Sequence, residues 1–356
     1  MQQAEKRPAL AEAGAEAPMD SGDRPGVPIG AIDQDDFALM AGPHRRALML
    51  HCYRMVGCME EAEDLVQETL ARAWRARHTY QGRAPFRSWL YRIATNLSLD
   101  ALRQRPRRSL PVARTPASSP DQPVPASINE PIWLEPCPDA LLPADERDPE
   151  TILATRERVS LAFMIALHTL PPRQRAVLIL RDVLEMPASE VAELLEQSVP
   201  AVKSALHRAR TAIAEVSHEA EPAVRSSANR EHGERLARYV TAWESADVEN
   251  LMRLLRDDAR FSMPPIPSWY QGREEIGALV RNTIFRGDAN GRWRLLPTNA
   301  GGTEAFGLYR LNERGGGHDF YGIQVPTFAE GLIADITTCR NPRLARFFDL
   351  PEHLPA

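Results

Sequence analysis

A basic segment that follows a short turn carries the side chains best suited to contacting duplex nucleic acid. It runs from Val199 to Ile213 and contains Lys203, Arg208 and Arg210 with no acidic residue. Apolar residues at helical spacing predict one buried face, which leaves the opposite face for bases and phosphates. The apolar positions are Val191, Leu195, Val199, Val202 and Leu206. The exposed positions would be Ala201, Lys203, Ser204, His207 and Arg208.

The same segment predicts a helix-turn-helix, in which a second helix after a tight turn lies in the major groove. Residues 188 to 195 supply the first helix, and Ser198 can cap the second. Pro200 falls in the first turn, where its missing N–H costs little. Glu196 and Gln197 occupy the turn, where glycine would be common, so the prediction depends on the helices. The alternative is an ordinary solvated basic helix.

A polar stripe between residues 86 and 103 is a second candidate surface for nucleic acid. Its members share one face of a predicted helix and are Arg92, Asn96, Asp100 and Arg103. Capture of unstacked bases requires cations for the backbone and aromatic side chains or snug pockets for the bases. Nearby aromatic residues are Tyr80, Phe86, Trp89 and Tyr91. Aromatic residues at helical spacing are more often core, and we expect Phe86 and Trp89 to be buried.

The helix that precedes this stripe has a polar, acidic face formed by Asp64, Gln67 and Glu68. Such a face on an otherwise buried helix is available to a protein partner. Spacing alone favours the simpler interpretation, in which the face is only solvated.

Length and composition predict several domains, because 356 residues exceed the usual size of one hydrophobic core. The net charge of -5 argues against a general polyanion binder, so any DNA contact must come from local patches. One such patch follows the stripe and comprises Arg103, Arg105, Arg107, Arg108 and Arg114. Four cysteines show no metal or disulfide spacing, and no apolar run could span a membrane. We therefore expect a cytoplasmic protein without a metal or cofactor.

Five regions follow from the changes in pattern along the chain. Residues 1–35 are rich in Ala, Glu, Pro and Gly and are predicted to be disordered. Residues 36–105 and 150–215 are predicted to be two all-α domains. Residues 106–149 hold eleven of the thirty prolines and are predicted to be an extended linker. Residues 230–356 are predicted to be an α+β domain.

Two of these regions carry further expectations. Within the linker, the apolar run Pro131-Ile132-Trp133-Leu134-Glu135-Pro136 is expected to dock into a groove rather than remain solvated, and the alternative is local packing on a neighbouring domain. In the α+β domain, helices are predicted near 231–244 and 247–256, and strands near 259–263, 318–326 and 332–338.

Together these motifs resemble the extracytoplasmic-function sigma factors, which are promoter-specificity subunits of bacterial RNA polymerase. The stretch Ala62-Glu63-Asp64-Leu65-Val66-Gln67-Glu68-Thr69 resembles the family's polymerase-binding helix, and residues 86–103 resemble its region for the minus-ten element. Residues 170–210 resemble its region for the minus-thirty-five element. The resemblance implies that Asp64, Gln67 and Glu68 contact the clamp coiled coil of core polymerase. It also implies that the stripe faces opened DNA and that the basic helix faces promoter duplex.

The α+β region resembles the SnoaL-like fold, a curved sheet closed into a cone by helices. Matching stretches include Asp258-Ala259-Arg260-Phe261-Ser262-Met263-Pro264-Pro265 and Trp269-Tyr270-Gln271-Gly272. In sigma factors with such a tail, the resemblance implies regulation of the sigma domains within the same chain. The cone mouth could also hold a small ligand, although large aromatics more often fill a core. The candidate lining residues are Trp243, Phe261, Trp269, Tyr270, Trp293 and Tyr321.

Two alternatives remain open at this point. The tail could be an enzyme that transfers protons in an apolar cavity, with Asp258, His318 and Asp319 as candidates. Alternatively, the chain could be a one-component regulator that binds duplex DNA without a polymerase, with an effector-sensing tail. The second alternative leaves the face around Asp64 and the stripe around Asn96 without a role.

Overall fold

A computed structural model describes residues 33–82, 84–103, 108–128, 132–142, 159–219, 230–313 and 316–356, and the side chains of 216–219 are not described. Of the segment 1–35 that is predicted to be disordered, residues 1–32 lie outside this range, as do residues 106–107, 129–131 and 143–149 of the linker. Helical structure begins at Gln34, slightly before the predicted boundary, because Asp33 caps the first helix by accepting a 2.9 Å hydrogen bond from the Asp36 amide.

Four helices form the first domain: α1 (Gln34–Ala41), α2 (Arg45–Val56), α3 (Met59–Arg75) and α4 (Phe86–Arg103). Their apolar faces pack on one another around Leu48, Val66 and Leu90, which are almost completely buried. Gly57 ends α2 in the left-handed conformation, with φ of 75°. The domain is all-α, as its helical periodicity predicts.

The second helical domain contains α5 (Leu161–Thr169), α6 (Pro172–Leu178), α7 (Ala188–Leu194) and α8 (Val199–Glu219). A π-helical turn at Ile179–Val183 continues α6. Ser160 caps α5, and Pro172 lies in the first turn of α6, where no backbone N–H is required. Helices α7 and α8 are the predicted helix-turn-helix, although α8 extends beyond the predicted end at 213.

The tail is an α+β domain, as predicted. Its helices are α9 (Arg230–Glu244), α10 (Val248–Leu254) and α11 (Arg273–Leu279). Its strands are β1 (Leu255–Ser262), β2 (Trp269–Gln271), β3 (Trp293–Ala300), β4 (Thr303–Leu311), β5 (His318–Ala329), β6 (Leu332–Cys339) and β7 (His353–Leu354). The sheet order is β2-β1-β6-β5-β4-β3, with β7 paired to β5. Only the β1 and β6 pairing is parallel among these strands.

Two details of the tail correct the sequence-based boundaries. The helix predicted to reach residue 256 ends at Leu254, because Leu255 starts β1 and its carbonyl accepts hydrogen bonds from the Arg273 guanidinium. Strands β3 and β4 were not predicted. Pro297 and Gly307 interrupt their β-forming patterns, and Pro297 is tolerated because β3 is an edge strand.

Buried apolar residues form two clusters. One fills the cone between the tail's helices and its sheet, around Trp243 and Phe261. The other is continuous from both helical domains to the tail and includes Leu48, Ile179 and Phe348. The two helical domains and the tail therefore share one apolar core in this conformation.

The linker runs over these surfaces rather than away from them. Ser109 and Trp133 bridge within the linker itself, and Pro138 bridges to Ala300 of β3 in the tail. Trp133 is 7% exposed and Leu134 is completely buried, so the expected docking of this apolar run is confirmed. Within the described part of the chain, no helix has the length and apolar character needed to cross a membrane.

Candidate nucleic-acid interface and tail cavity

The exposed face of α8 contains the five residues that its spacing predicts: Ala201, Lys203, Ser204, His207 and Arg208. Val202 and Leu206 lie on the buried face. Ser198 begins the helix as expected, since its Oγ accepts a hydrogen bond of 3.3 Å from the Ala201 amide. Arg208 donates a 2.7 Å hydrogen bond to Ser204 Oγ, which holds its cationic side chain along the same face.

Arg173, which the sequence pattern does not indicate, extends this face. It is exposed in the first turn of α6 and lines one shallow groove together with Ala201, Ser204 and Arg208. The groove thus has two guanidinium groups from different helices at one edge. The helix-turn-helix pattern alone could not identify Arg173, because it lies outside that motif.

The turn between α7 and α8 has an unusual backbone. Glu196 adopts φ of 55°, a conformation that glycine adopts without steric cost. The glutamate carboxylate accepts a hydrogen bond from Arg92 Nη2 on α4 at 3.1 Å. A residue of the helix-turn-helix is therefore ion-paired with the polar stripe of the first domain.

The polar stripe is exposed at all four predicted positions, Arg92, Asn96, Asp100 and Arg103. Arg103 and Asp100 form an ion pair of 3.1 Å one turn apart on α4, so part of the stripe's charge is internally balanced. Arg92 pairs outside the stripe, with the turn before α8. Asn96 remains exposed between them, and its amide can both donate and accept hydrogen bonds.

The aromatic residues near the stripe separate into two groups. Phe86 and Tyr91 are buried, and Tyr91 packs edge-on against His51 at 5.1 Å. Tyr80 and Trp89 are only half-buried, with ring centroids 5.4 Å apart, so the expectation that Trp89 is a core residue is only partly met. They line a cavity of about 240 Å³ whose opposite wall is formed by α7 residues, including Glu193. The two helical domains therefore face each other across this aromatic surface.

The predicted basic patch after the stripe is smaller than the sequence suggests. Arg108 is 7% exposed and forms a 2.6 Å ion pair with Glu61, which is itself largely buried. Its guanidinium also donates to the Trp133 carbonyl at 3.2 Å. Arg108 therefore attaches the linker to α3 and is not available to DNA. Arg105 and Arg107 lie outside the described residues.

On α3, Asp64 and Gln67 are exposed, and Glu68 is partly exposed. A hydrogen bond of 2.6 Å from Arg72 is the main reason that the Glu68 pKa is lowered. The tail contacts the helical turn before Asp64. Glu60 pairs with Arg343 and Glu63 pairs with Arg346, and both arginines lie in a 3-10 turn of the tail. The tail thus lies beside the predicted polymerase-binding face and leaves its three residues accessible.

The start of α3 has a cap that comes from the linker. Cys58 is the N-cap residue, and its thiol makes no capping hydrogen bond. Instead, Glu135 Oε2 accepts a 2.8 Å hydrogen bond from the Met59 amide. Glu135 Oε1 accepts a second, of 2.8 Å, from the Asn341 side-chain amide in the tail. One linker carboxylate therefore joins α3 to the tail, and this role was not identified from sequence.

Three parts of the chain meet at Gly57. A Cβ there would lie 2.5 Å from Leu134 Cδ2 of the linker and 2.7 Å from His168 Cε1 of α5. His168 is buried, and its Nε2 lies 3.2 Å from the Arg54 carbonyl of α2. Burial, and secondarily the charge of Arg175, holds the His168 pKa well below its usual value. Arg175 is 1% exposed and donates to the Met55 carbonyl, so it also links the two helical domains.

The tail contains a cavity of about 210 Å³ at the mouth of the cone. Four of the six aromatic residues suggested by the sequence line it: Trp243, Phe261, Trp293 and Tyr321. The other two do not. Trp269 donates its indole N–H to the Thr115 carbonyl of the linker at 2.7 Å, and Tyr270 packs in the core on β2. The linker's Val124 also lines the cavity.

The three candidates for proton transfer do not lie in that cavity. Asp258 is exposed and pairs with Arg256, which lowers its pKa by hydrogen bonding. His318 Nε2 lies 2.8 Å from the Gly291 carbonyl, whereas Asp319 pairs with His353 near the surface. Their separate contacts bring none of the three together in the cavity, so these residues give the enzymatic alternative no support.

Comparison with known proteins agrees with this domain order. Family models match Sigma-70 region 2 at residues 40–108, Sigma-70 region 4 at 160–213 and a SnoaL-like domain at 236–336. The ECF RNA polymerase sigma factor SigG of Mycobacterium tuberculosis is 39% identical over 320 residues, covering 90% of this chain and 85% of SigG. The chain belongs to the ECF RNA polymerase sigma factors.

Two further similarities support the architecture of this ECF sigma factor. SigJ of Mycobacterium tuberculosis is 31% identical over 219 residues, which cover 61% of this chain and 62% of SigJ. The crystal structure of SigJ matches 87% of this chain and 98% of its own, with a TM-score of 0.55 and 24% identity. This structural match shows that the helical domains and the sheet-containing tail form a known fold. Because the chain belongs to the ECF sigma factors, the alternative of a regulator that acts without polymerase is not supported.

Proposed function

We propose that three exposed faces of this sigma factor divide polymerase binding and promoter recognition between them. The α3 face of Asp64, Gln67 and Glu68 would bind the clamp of core polymerase. The α4 stripe of Arg92, Asn96, Asp100 and Arg103 would hold bases of the opened strand. The α8 face of Ser198, Ala201, Lys203, Ser204, His207 and Arg208 would contact the upstream duplex. The support is that all these side chains are at least partly exposed on faces set by helical spacing.

Each face has side chains suited to its target. Lys203 and Arg208 would contact phosphates, which position a protein on DNA, and Ser204 could reach a base edge. The Asn96 amide can pair with base edges because it offers both donors and an acceptor. RNA synthesis itself would remain in the polymerase, so the chain contributes recognition and no bond chemistry.

The conformation described above is best understood as a closed state. The two promoter elements are named for positions about 25 base pairs apart, which at about 3.4 Å each is on the order of 80 Å along the duplex. Arg92 and Glu196, which lie at the two DNA-facing surfaces, are 3.1 Å apart. Both surfaces cannot meet their elements while this contact persists. The Arg92–Glu196 contact is the observation that carries the proposal of opening on the polymerase.

The linker and tail would hold the closed state. The linker fills the space beside Gly57 between the two helical domains, and Glu135 ties it to both α3 and the tail. The exposed Arg92–Glu196 pair alone would contribute only about 0–1 kcal/mol. The shared apolar core and the buried Arg175 contacts therefore provide most of the closed-state stability. Any change in the contacts between the tail and the linker would then regulate the sigma domains of the same chain.

In vitro transcription tests this proposal directly. Purified chain, bacterial core polymerase and a library of promoter fragments should yield discrete start sites that core polymerase alone does not produce. Asp64→Lys should weaken core binding, and Asn96→Ala should reduce strand opening with core binding retained. Arg87→Ala, an exposed change on α4 away from the stripe, is the matched control. A chain that binds promoter duplex yet never directs core polymerase would contradict the proposal.

Because the polymerase acts on chromosomal DNA, we also propose a cytoplasmic location.

A further inference from the structure

The cone cavity is a built site for a small molecule rather than a gap in the packing. Its volume of about 210 Å³ is below the roughly 300–1,000 Å³ of sites for drug-sized ligands, so it suits a molecule of one or two rings. The rings of Trp243, Trp293 and Tyr321 are arranged edge to face around it, with centroids 5.2 to 6.0 Å apart along the series. Such rings favour a flat, apolar ligand body.

The charges around the cavity have one sign. Arg292, Arg310 and Arg340 line it, and none of the described residues that line it is an aspartate or glutamate. Arg292 is bound to the carbonyls of Arg286 and Asp288, at 3.0 and 2.7 Å. Arg310 is exposed and pairs with Glu313. The first two arginines are therefore already engaged outside the cavity.

Arg340 differs from these two. Its guanidinium lies over the Tyr321 ring, 4.7 Å from the centroid, in a cation–π contact. Its Nε is buried and has no hydrogen-bond partner among the described residues. Leaving a buried donor unsatisfied costs about 1–3 kcal/mol, and more when the group is charged. Because Arg340 lines the cavity, an anion bound there would lie beside its guanidinium and could accept hydrogen bonds from it.

We infer that the cone cavity binds a small organic anion that has a flat apolar body, with its carboxylate or similar group at Arg340 and its ring among Trp243, Trp293 and Tyr321. An anion fits because every charged side chain that lines the cavity among the described residues is an arginine, and Arg340 forms no ion pair with a described residue. A cation would be repelled by Arg340, and a neutral ring would leave the Arg340 charge without a counter-ion.

A ligand bound in this cavity would affect how the sigma domains are held together, and this consequence rests on the proposed function. The linker contributes Val124 to the cavity wall, and Val124 is partly buried whereas the other residues from 121 to 127 are exposed. Backbone bonds from Ser118 and Ile128 to the tail, of 2.8 and 2.9 Å, flank it. A ligand that touches Val124 makes this contact only while the linker is docked, so binding favours the docked state.

The residue after Arg340 gives a second route to the same linker. Asn341 donates the hydrogen bond to Glu135 that links the tail to the cap of α3. An anion that fixes Arg340 would also restrict this neighbouring amide. The ligand would therefore act as a negative effector, because it stabilises the closed conformation.

Calorimetric titration of the full-length protein with two pairs of probes tests the ligand class without polymerase. The probes are benzoate with benzamide and 2-naphthoate with 2-naphthamide, which differ within each pair in charge and little in shape. We expect at least one acid to bind at least tenfold more tightly than its amide. Arg340→Met should remove this preference, Arg340→Lys should retain part of it, and Arg343→Met, outside the cavity, should leave it unchanged. Equal binding of acid and amide, a preference that survives Arg340→Met, or no binding by any probe would overturn the inference.

Hydrogen exchange on the same samples tests the coupling to the linker. The bound acid should slow exchange of the Ser118 and Ile128 amides, whose acceptors lie in the tail. Unchanged or faster exchange at saturation would overturn the proposed direction of control. Both readouts are independent of transcription, so their failure is distinguishable from failure of the sigma-factor proposal.

Discussion

The cap that Glu135 provides to α3 leads to a prediction about stability and coupling. Glu135→Ala removes the acceptor of the Met59 amide, and loss of an N-cap costs about 1 kcal/mol. It also removes the hydrogen bond from Asn341, which contributes about 1 kcal/mol more. We therefore expect a loss of about 2 kcal/mol. With an unfolding entropy near 2.1 cal/mol/K per residue, Tm should fall by about 3 °C.

A second substitution separates the cap from the link to the tail. Cys58 is the natural N-cap position, with extended backbone at φ of -140° and ψ of 134°. Cys58→Ser would place a hydroxyl acceptor there and could cap α3 locally, returning about 1 kcal/mol. In the double variant with Glu135→Ala, α3 should be capped while the tail remains uncoupled from it.

Hydrogen exchange of the first turn of α3, together with thermal unfolding, measures both effects. Exchange of the Met59 amide should rise in Glu135→Ala and stay raised in the double variant, because a serine cap accepts from the second or third helical amide. Exchange of the Glu61 amide should rise in Glu135→Ala and fall again in the double variant, whose Tm should recover only in part. Asp139→Ala, elsewhere in the linker, provides a comparison for general loosening of that segment. The reasoning is wrong if Glu135→Ala leaves exchange in this turn unchanged, or if the double variant regains no stability.

Four further predictions follow from individual contacts. Lys203→Ala should reduce the salt dependence of duplex binding by about 0.9 in the log–log slope if Lys203 contacts a phosphate, and an unaltered slope would reject that role. Burial lowers the pKa of His51 to about 3 from 6.5. As pH falls, the unfolded chain protonates His51 before the folded chain does. The stability that neutral His51 contributes to the fold is therefore complete above pH 6.5 and is lost at up to about 1.4 kcal/mol per pH unit as pH falls toward 3. Denaturant unfolding of His51→Gln should lack this pH-dependent component of the free energy of unfolding. Gly57→Ala should cost about 1 kcal/mol or more, because of its positive φ and the close linker and α5 contacts, and a neutral result in denaturant unfolding would contradict those contacts. Arg343→Glu with Arg346→Glu should loosen the tail from α3 and raise transcript yield, whereas an unchanged yield would remove this contact from the control of activity.

Sequence patterns predicted the candidate site residues where those residues repeat at the spacing of the helix that carries them. The exposed residues of α8 and α4 follow from helical spacing, because an apolar face fixes the position of the opposite face. The helix-turn-helix was found in spite of Glu196, whose left-handed conformation no pattern predicted. The Glu196 carboxylate pairs with Arg92, more than a hundred residues away, and this contact would be part of the proposed closed state.

Long-range contacts account for what the sequence could not provide. Arg108 belongs to a basic cluster in sequence, yet in the fold it is buried in an ion pair with Glu61. Trp269 was expected to line the cone, yet its indole donates a hydrogen bond to the linker. The charge or aromatic character of a residue does not determine which partner it meets. The capping of α3 by Glu135 is similarly hidden, because donor and acceptor lie 76 residues apart. The only local signal was the absence of a polar cap at Cys58.

The two helical domains pack together in this conformation, and we propose that they must separate to contact the promoter. Gln81 and Glu193 line opposite sides of the cavity between the domains, and neither belongs to the proposed DNA-contacting residues. Gln81→Cys with Glu193→Cys, joined by a short reducible bismaleimide, would lock them together. The single variants and the unjoined double variant provide the controls.

In vitro transcription by the joined protein with core polymerase is the most direct measurement. We predict efficient joining in the free protein, loss of promoter-dependent transcripts in the joined form, and recovery after reduction of the reagent. Transcript yield from the joined protein equal to that of the unjoined double variant would contradict the account.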